Sequence, residues 1–185
     1  MRVGIFGGSF DPVHHGHLRA AQWALEAFLL DRILLIPARQ SPFKAACFAP
    51  DQDRHAMLRL AARDNPSFAV DDCELRREAP SYTVDTLRQL AEREPLNQWT
   101  VIVGSDAGLG LPGWRDVAEV QKLAEIRILG RPGDPESARV DGFVYFPGLG
   151  ISSTELRESV RAGRSVRYLT PESVRLYIEE KGLYK

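Results

Sequence analysis

The chain has 185 residues, 24 of them Lys or Arg against 25 Asp or Glu, for a net charge of −1. That length fits one domain with a sizeable core, and the balanced charge argues against nucleic acid or an anionic membrane as the main partner, so any anionic ligand has to be held locally. Cys47 and Cys73 lack CxxC spacing, and no apolar leader or bilayer-length run is present, so the chain reads as soluble, unprocessed and cytoplasmic, without a disulfide framework.

Short β-branched runs recur at 3–6, 33–37, 68–72, 100–104 and 126–130, with FVYF at 143–146 as a sixth candidate. Helical spacing fills the intervals 17–30, 53–65 and 82–94. Apolar strands joined by helical crossovers predict an α/β fold, a doubly wound parallel sheet covered on both faces. After the turn-rich stretch 131–137 come two further helices, 153–163 and 171–182, the second with Thr170 as cap and Pro171 in the first turn. The whole of 1–185 is read as a single domain, with a small C-terminal helical part from about 150 to 185.

The stretch GIFGGSFDPVHHGHL at 4–18 is where chemistry concentrates. Ligands of a doubly wound sheet bind beyond the carboxyl ends of the strands, where the strand order reverses. With the first strand ending at Phe6, Gly7 and Gly8 allow a tight turn and a close backbone approach, and the helix after Gly16 aims its positive dipole end at the same place. The motif is neither a Walker A loop nor a GxGxxG fingerprint. His14 and His17 share a helix face, but a zinc site wants three or four ligands, and the only histidine outside the cluster is His55. Ser9 is not in a GxSxG elbow, which weakens nucleophilic catalysis. Phosphate binding remains: histidines bonded to phosphate oxygens stabilise charge that grows during nucleotidyl transfer.

GGSFDPVHHGHL carries the HxGH signature of the nucleotidyltransferase superfamily and closely resembles the bacterial nicotinate mononucleotide adenylyltransferases. ISSTELRES at 151–159 is similar to the superfamily's C-terminal phosphate motif, APSYTVDTL at 79–87 to the family's SYT segment, VGSDAGLGLPGWRD at 103–116 to its strand end and tryptophan, and PESVRLYIEEKGLY at 171–184 to its terminus. The resemblance implies a Rossmann-like nucleotidyltransferase fold and attack by the phosphate of nicotinate mononucleotide on the α-phosphorus of ATP, giving deamido-NAD and pyrophosphate. The nucleophile is already an anion, so catalysis consists of aligning two repelling phosphates and neutralising charge.

By the same resemblance, Gly8, Ser9, Phe10 and Gly16 contact ATP through backbone, and His14 and His17 bind its phosphates, with His17 stabilising the transition state. Ile151, Ser152, Ser153, Thr154 and Arg157 converge on the β and γ phosphates from a helix start. STELR alone reads as an ordinary capping box, and it is the partner motif that points to phosphate. Gly104 and Asp106 lie around the adenosine, and Arg131 lies near ATP. Tyr82, Thr83 and Trp114 take the nicotinate moiety, with the ring stacked on Trp114. The chain departs from the family's PPHK with SPFK at 41–44: Phe43 replaces a histidine, and Lys44 is kept to supply charge to both catalysis and substrate binding. Arg115 stands where an aromatic is expected and is assigned, as a hypothesis, to the nicotinate carboxylate. No metal site of the protein's own is expected; Mg2+ rides on the ATP phosphates. The partners are ATP and nicotinate mononucleotide, with neither nucleic acid nor membrane, and a homo-oligomer is left open. The competing readings are a phosphopantetheine adenylyltransferase and a catalytically silent nucleotide-binding module of the same fold.

Overall fold

A computed structural model describes residues 1–43, 45–130 and 141–185. The strands are β1 (Arg2–Gly8), β2 (Arg32–Pro37), β3 (Phe68–Val70), β4 (Gln98–Gly104), β5 (Ala124–Gly130) and β6 (Phe143–Tyr145), and the helices are α1 (His15–Ala27), α2 (Asp51–Ala62), α3 (Thr83–Arg93), α4 (Ser105–Leu109), α5 (Val117–Leu123), α6 (Ser153–Arg161) and α7 (Glu172–Lys181), with a 3-10 turn at Leu111–Gly113. The six strands form one sheet in the order β3-β2-β1-β4-β5-β6, and every neighbouring pair is parallel. After β3 the chain returns to the middle of the sheet and lays β4 beside β1. The order therefore reverses between these two strands, and the crevice beyond their carboxyl ends is the natural ligand position.

Successive side chains of a strand face opposite ways, and the two cores follow that alternation. On one face Ile33 and Leu35 of β2 pack with Ala20, Ala21 and Ala24 of α1, Met57 and Leu58 of α2, and Val174 and Ile178 of α7. On the other, Val3, Ile5, Leu34 and Ile36 pack with Val84, Leu87 and Leu90 of α3 and Val120 of α5. The C-terminal helix thus belongs to the same core as α1 and α2. A side chain on Gly4 would meet Ile33 Cδ1 at 2.5 Å and Leu30 Cδ1 at 2.8 Å, so this glycine lets the helix layer close onto β1.

Several local expectations change. β1 continues through Gly7 and Gly8, which pair with Ile36 and Pro37, so the glycines belong to the ladder rather than to a turn. The chain reverses afterwards, at Phe10, whose φ is +47°. α1 begins two residues before the apolar periodicity because His14 caps it. Thr170 does not cap α7: its hydroxyl donates to the Val13 carbonyl at 2.8 Å, and Pro171 occupies the N-cap position. The connection from β4 to β5 also contains α4 and α5, whose short, weakly patterned sequences gave no helical period.

Candidate active site

A cleft of about 870 Å³ opens beyond the carboxyl ends of β1 and β4. Gly7 and Gly104 both have open space where a side chain would point, so backbone is presented there without obstruction. At Gly8 an added Cβ would lie 3.3 Å from the ring of Phe10, which is buried and meets His17 edge-on at 5.1 Å. Gly8, Ser9 and Phe10 line the cleft together.

His14 and His17 form a reciprocal cap. The His17 N–H donates to His14 Nδ1 and the His14 N–H to His17 Nδ1, both at 3.3 Å, and the rings stack 3.7 Å apart. This is the arrangement of a capping box built from imidazoles. A neutral ring that accepts at Nδ1 carries its proton on Nε2. Gly16 makes the packing possible: a Cβ there would sit 2.9 Å from His14 Nδ1 and 3.4 Å from the Ile151 carbonyl oxygen. His15 is not among the residues lining the cleft.

The start of α6 lies against this loop. Ser152 is its N-cap and accepts from the Glu155 N–H at 3.1 Å, so the cap lies one residue before STELR and Ser153 does not supply it. Ser153 donates to the Pro12 carbonyl at 2.9 Å, and Arg157 reaches the Asp11 carbonyl at 2.8 Å and Thr154 Oγ1 at 3.1 Å. Ile151 through Thr154, with Arg157, line the same cleft as the histidines. Two helix N-termini, two imidazoles and a guanidinium therefore meet on one side, a setting suited to phosphate groups.

The opposite end is apolar and aromatic. Tyr82 occupies the N-cap position of α3 without a side-chain cap bond, Thr83 opens the helix, and both line the cleft with Trp114 and Arg115. The Trp114 indole N–H is buried and has no hydrogen-bond partner among the described residues. The Arg115 guanidinium lies 4.8 Å from the Tyr82 ring centroid and 3.8 Å from Asp85 Oδ2, with its side chain half exposed. Asp106 follows Gly104 in the first turn of α4 and also lines the cleft. Lys44 and Arg131, both expected at the site, lie outside the described residues.

Two titratable groups on the cleft wall have their pKa raised by burial. Glu74 is pushed up by desolvation, which outweighs the hydroxyl it accepts from Thr86 at 2.6 Å and the nearby Arg77 charge. The Cys47 thiol is likewise raised, chiefly by burial, which disfavours the thiolate needed for nucleophilic chemistry. No group of three His, Cys, Asp or Glu able to hold a metal occurs among the described residues.

The cytidylyltransferase-like family matches residues 5–159, the span from β1 into α6. A protein of Thermus thermophilus named a probable nicotinate-nucleotide adenylyltransferase is 44% identical over all of this chain and all of its own length, and one from Opitutus terrae with the same name is 44% identical over 100% of this chain and 98% of its own. The chain belongs to the nicotinate-nucleotide adenylyltransferase family. The nicotinic acid mononucleotide adenylyltransferase of Plasmodium falciparum, solved with NaAD, shares its fold at a TM-score of 0.81 and 20% identity, covering 99% of this chain and 97% of that one.

In this nucleotidyltransferase, two buried residues that the motif reading passed over organise the end of the cleft that holds the histidines. The Asp11 carboxylate accepts from the Phe48 N–H at 2.7 Å, the Ala49 N–H at 3.1 Å and the Tyr184 hydroxyl at 2.8 Å. Arg54, fully buried on α2, donates to the Ser9 carbonyl at 2.6 Å and to Asp51 at 2.5 Å. Asp11 stands inside the quoted motif, where an acid among phosphate-binding residues could have been singled out. Arg54 has no local signal for its role, since Ser9 is 45 residues away.

Proposed function

We propose that the chain transfers the adenylyl group of ATP to nicotinate mononucleotide, releasing pyrophosphate and forming deamido-NAD. The observation that carries this reading is the reciprocally capped His14–His17 pair packed against the start of α6 at the switch point of the sheet. The α-phosphate of ATP belongs beside the imidazoles, whose Nε2–H groups donate to oxygens that gain charge as the bond to pyrophosphate breaks. Arg157, Ser153 and Thr154, with the dipole of α6, receive the departing β and γ phosphates. The backbone at Gly8, Ser9 and Phe10 contacts the phosphate chain, and Gly104 and Asp106 hold the adenosine, Asp106 by accepting from ribose hydroxyls.

Nicotinate mononucleotide occupies the aromatic end, with its pyridine ring against Trp114 and its carboxylate toward Tyr82, Thr83 and Arg115. Its phosphate then faces the α-phosphorus, and because that phosphate is an anion at neutral pH no base has to remove a proton first. Lys44 and Arg131 supply further positive charge to the phosphates. A Mg2+ ion arriving on ATP would neutralise phosphate charge there. Such an enzyme belongs to NAD biosynthesis, a process of the cytoplasm. The deciding assay is pyrophosphate release from ATP with nicotinate mononucleotide, nicotinamide mononucleotide and phosphopantetheine in parallel. Release with the first above both others is expected; release with phosphopantetheine alone, or with none, overturns the reading.

A further inference from the structure

Asp11 poses a physical problem that its partners answer. It lines the cleft at the end assigned to phosphates, and an ionised carboxylate there repels the ligand unless its charge is satisfied and turned away. Its side chain is buried, and three donors converge on it: the Phe48 and Ala49 N–H groups from the loop after β2, and from the far end of the chain the hydroxyl of Tyr184, the penultimate residue. Chain ends fray unless something ties them down. Tyr184 is nevertheless 9% exposed, belongs to the core with α1, α2 and α7, and is held at φ +65°, a left-handed conformation that a tyrosine keeps only where its surroundings over-determine it.

What this bond controls is visible on the other side of Asp11. The Asp11 carbonyl accepts from Arg157 Nη1 at 2.8 Å, and the Phe48 ring, whose N–H the Asp11 carboxylate holds, lies 4.4 Å from the Arg157 guanidinium. Two of the contacts that orient Arg157, one a hydrogen bond and one a cation–π stack, are therefore set by the Asp11 residue and its carboxylate; the third is Thr154 Oγ1. Asp11, Phe48 and Arg157 line the cleft, and Tyr184 does not.

We propose that Tyr184 is a positioning residue for the triphosphate end of the site: its hydroxyl fixes the Asp11 carboxylate, and through it the seat of Arg157. The proposal rests on the reading of the cleft as an ATP site. A donor at the chain terminus thereby tunes ATP affinity without touching ATP, while the nicotinate end, built on α3 and Trp114, is outside its reach.

The test is a double-mutant cycle on the full chain, reading the dissociation constant of ATP with Mg2+ by calorimetry, the KM of nicotinate mononucleotide, and Tm. Tyr184→Phe removes one hydroxyl and keeps the ring in the core. It is expected to weaken ATP about fivefold, the scale of one hydrogen bond to a charged group partly transmitted, with the KM of the mononucleotide unchanged. Arg157→Lys keeps the charge but loses the planar fork that bonds the Asp11 carbonyl and stacks on Phe48. In that background Tyr184→Phe should change ATP affinity less than about twofold, since coupled residues are non-additive. An equal loss in both backgrounds, an equal loss for both substrates, no loss, or a Tyr184→Phe protein unfolded at the assay temperature each overturns the proposal. A wild-type protein that binds ATP yet releases no pyrophosphate with any acceptor defeats the functional reading alone, because the ATP cycle is read without turnover.

Discussion

Replacing Gly16 by alanine should separate stability from chemistry at the histidine pair. A Cβ at this position would approach His14 Nδ1 to 2.9 Å and Cε1 to 3.0 Å, and the ring cannot swing freely because it is buried and stacked 3.7 Å from His17. To reach ordinary van der Waals contact, the ring has to move by about half an ångström, and the 3.3 Å bond it accepts from the His17 N–H is already long. Overpacking of this kind costs about 1–3 kcal/mol, whereas alanine for glycine inside a helix contributes about 1 kcal/mol the other way. The net loss is about 0–2 kcal/mol, and for a chain of 185 residues that lowers Tm by no more than about 8 °C. The chemical cost is larger: displacement of a donor by a fraction of an ångström to 1 Å at a phosphate transfer site lowers rate by up to ~100-fold. Scanning calorimetry and pyrophosphate release with saturating mononucleotide measure the two separately. The expected Gly16→Ala protein is folded, within the stated Tm range, and slower by ten- to a hundredfold, on the scale of that principle. Turnover within twofold of wild type would refute the claim that Gly16 sets the His14 ring; a collapse of Tm well beyond about 8 °C would show that the packing energy was misjudged.

The other expectations use the same assays. His17→Ala removes the acceptor for the His14 N–H as well as a transition-state donor; it should stay folded with a stability loss of about 1 kcal/mol and lose at least ~100-fold in turnover, and near-normal turnover sinks the role. Arg115 is half exposed and only weakly engaged by Asp85, so its charge is available at the aromatic end. Arg115→Ala should raise the KM of nicotinate mononucleotide more than that of the amide analogue, and equal changes argue for simple packing on Tyr82. Glu74, whose proton is held by burial, binds that proton more tightly folded than unfolded. Its contribution to stability is therefore present below the unfolded glutamate value of about 4.3 and declines as pH rises from there toward the raised folded value. Glu74→Gln should flatten that decline in urea midpoints measured from pH 4 to pH 8, and parallel curves for variant and wild type would contradict it.

How far the sequence reaches can be argued residue by residue. The sheet was legible because a strand buried on both faces is a continuous apolar run, and ILLIP and TVIVG have that form; Ile33 and Leu35 enter one core while Leu34 and Ile36 enter the other. Periodicity also located α1, α2 and α3 to within a few residues, since each needs one apolar stripe. Where it failed, a contact distant in sequence decides the local structure. Thr170 has the residue type of an N-cap but spends its hydroxyl on Val13, 157 positions earlier. Gly7 and Gly8 have the residue type of a turn but are held in the ladder by β2, so the reversal falls on Phe10, a residue that no turn rule selects.

The site divides along the same line. The residues proposed to contact ligand from a loop or a helix start, such as His14, His17, Ser153 and Thr154, stand in short motifs because local spacing alone aims them; all four line the cleft. The contacts that hold those motifs together span long stretches of sequence. Arg54 reaches Ser9 across 45 positions, Arg157 reaches Asp11 across 146, and Tyr184 reaches Asp11 across 173. Each is a buried or half-buried polar group whose desolvation has to be offset by a partner that only the closed fold supplies. Asp11 is the meeting point of the last two: its backbone carbonyl accepts from Arg157 of α6, and its carboxylate accepts from Tyr184, which follows α7, together with the Phe48 and Ala49 N–H groups. Removing the Tyr184 hydroxyl leaves His14, His17, Ser153 and Thr154 in place and takes away one of the three donors that orient this carboxylate.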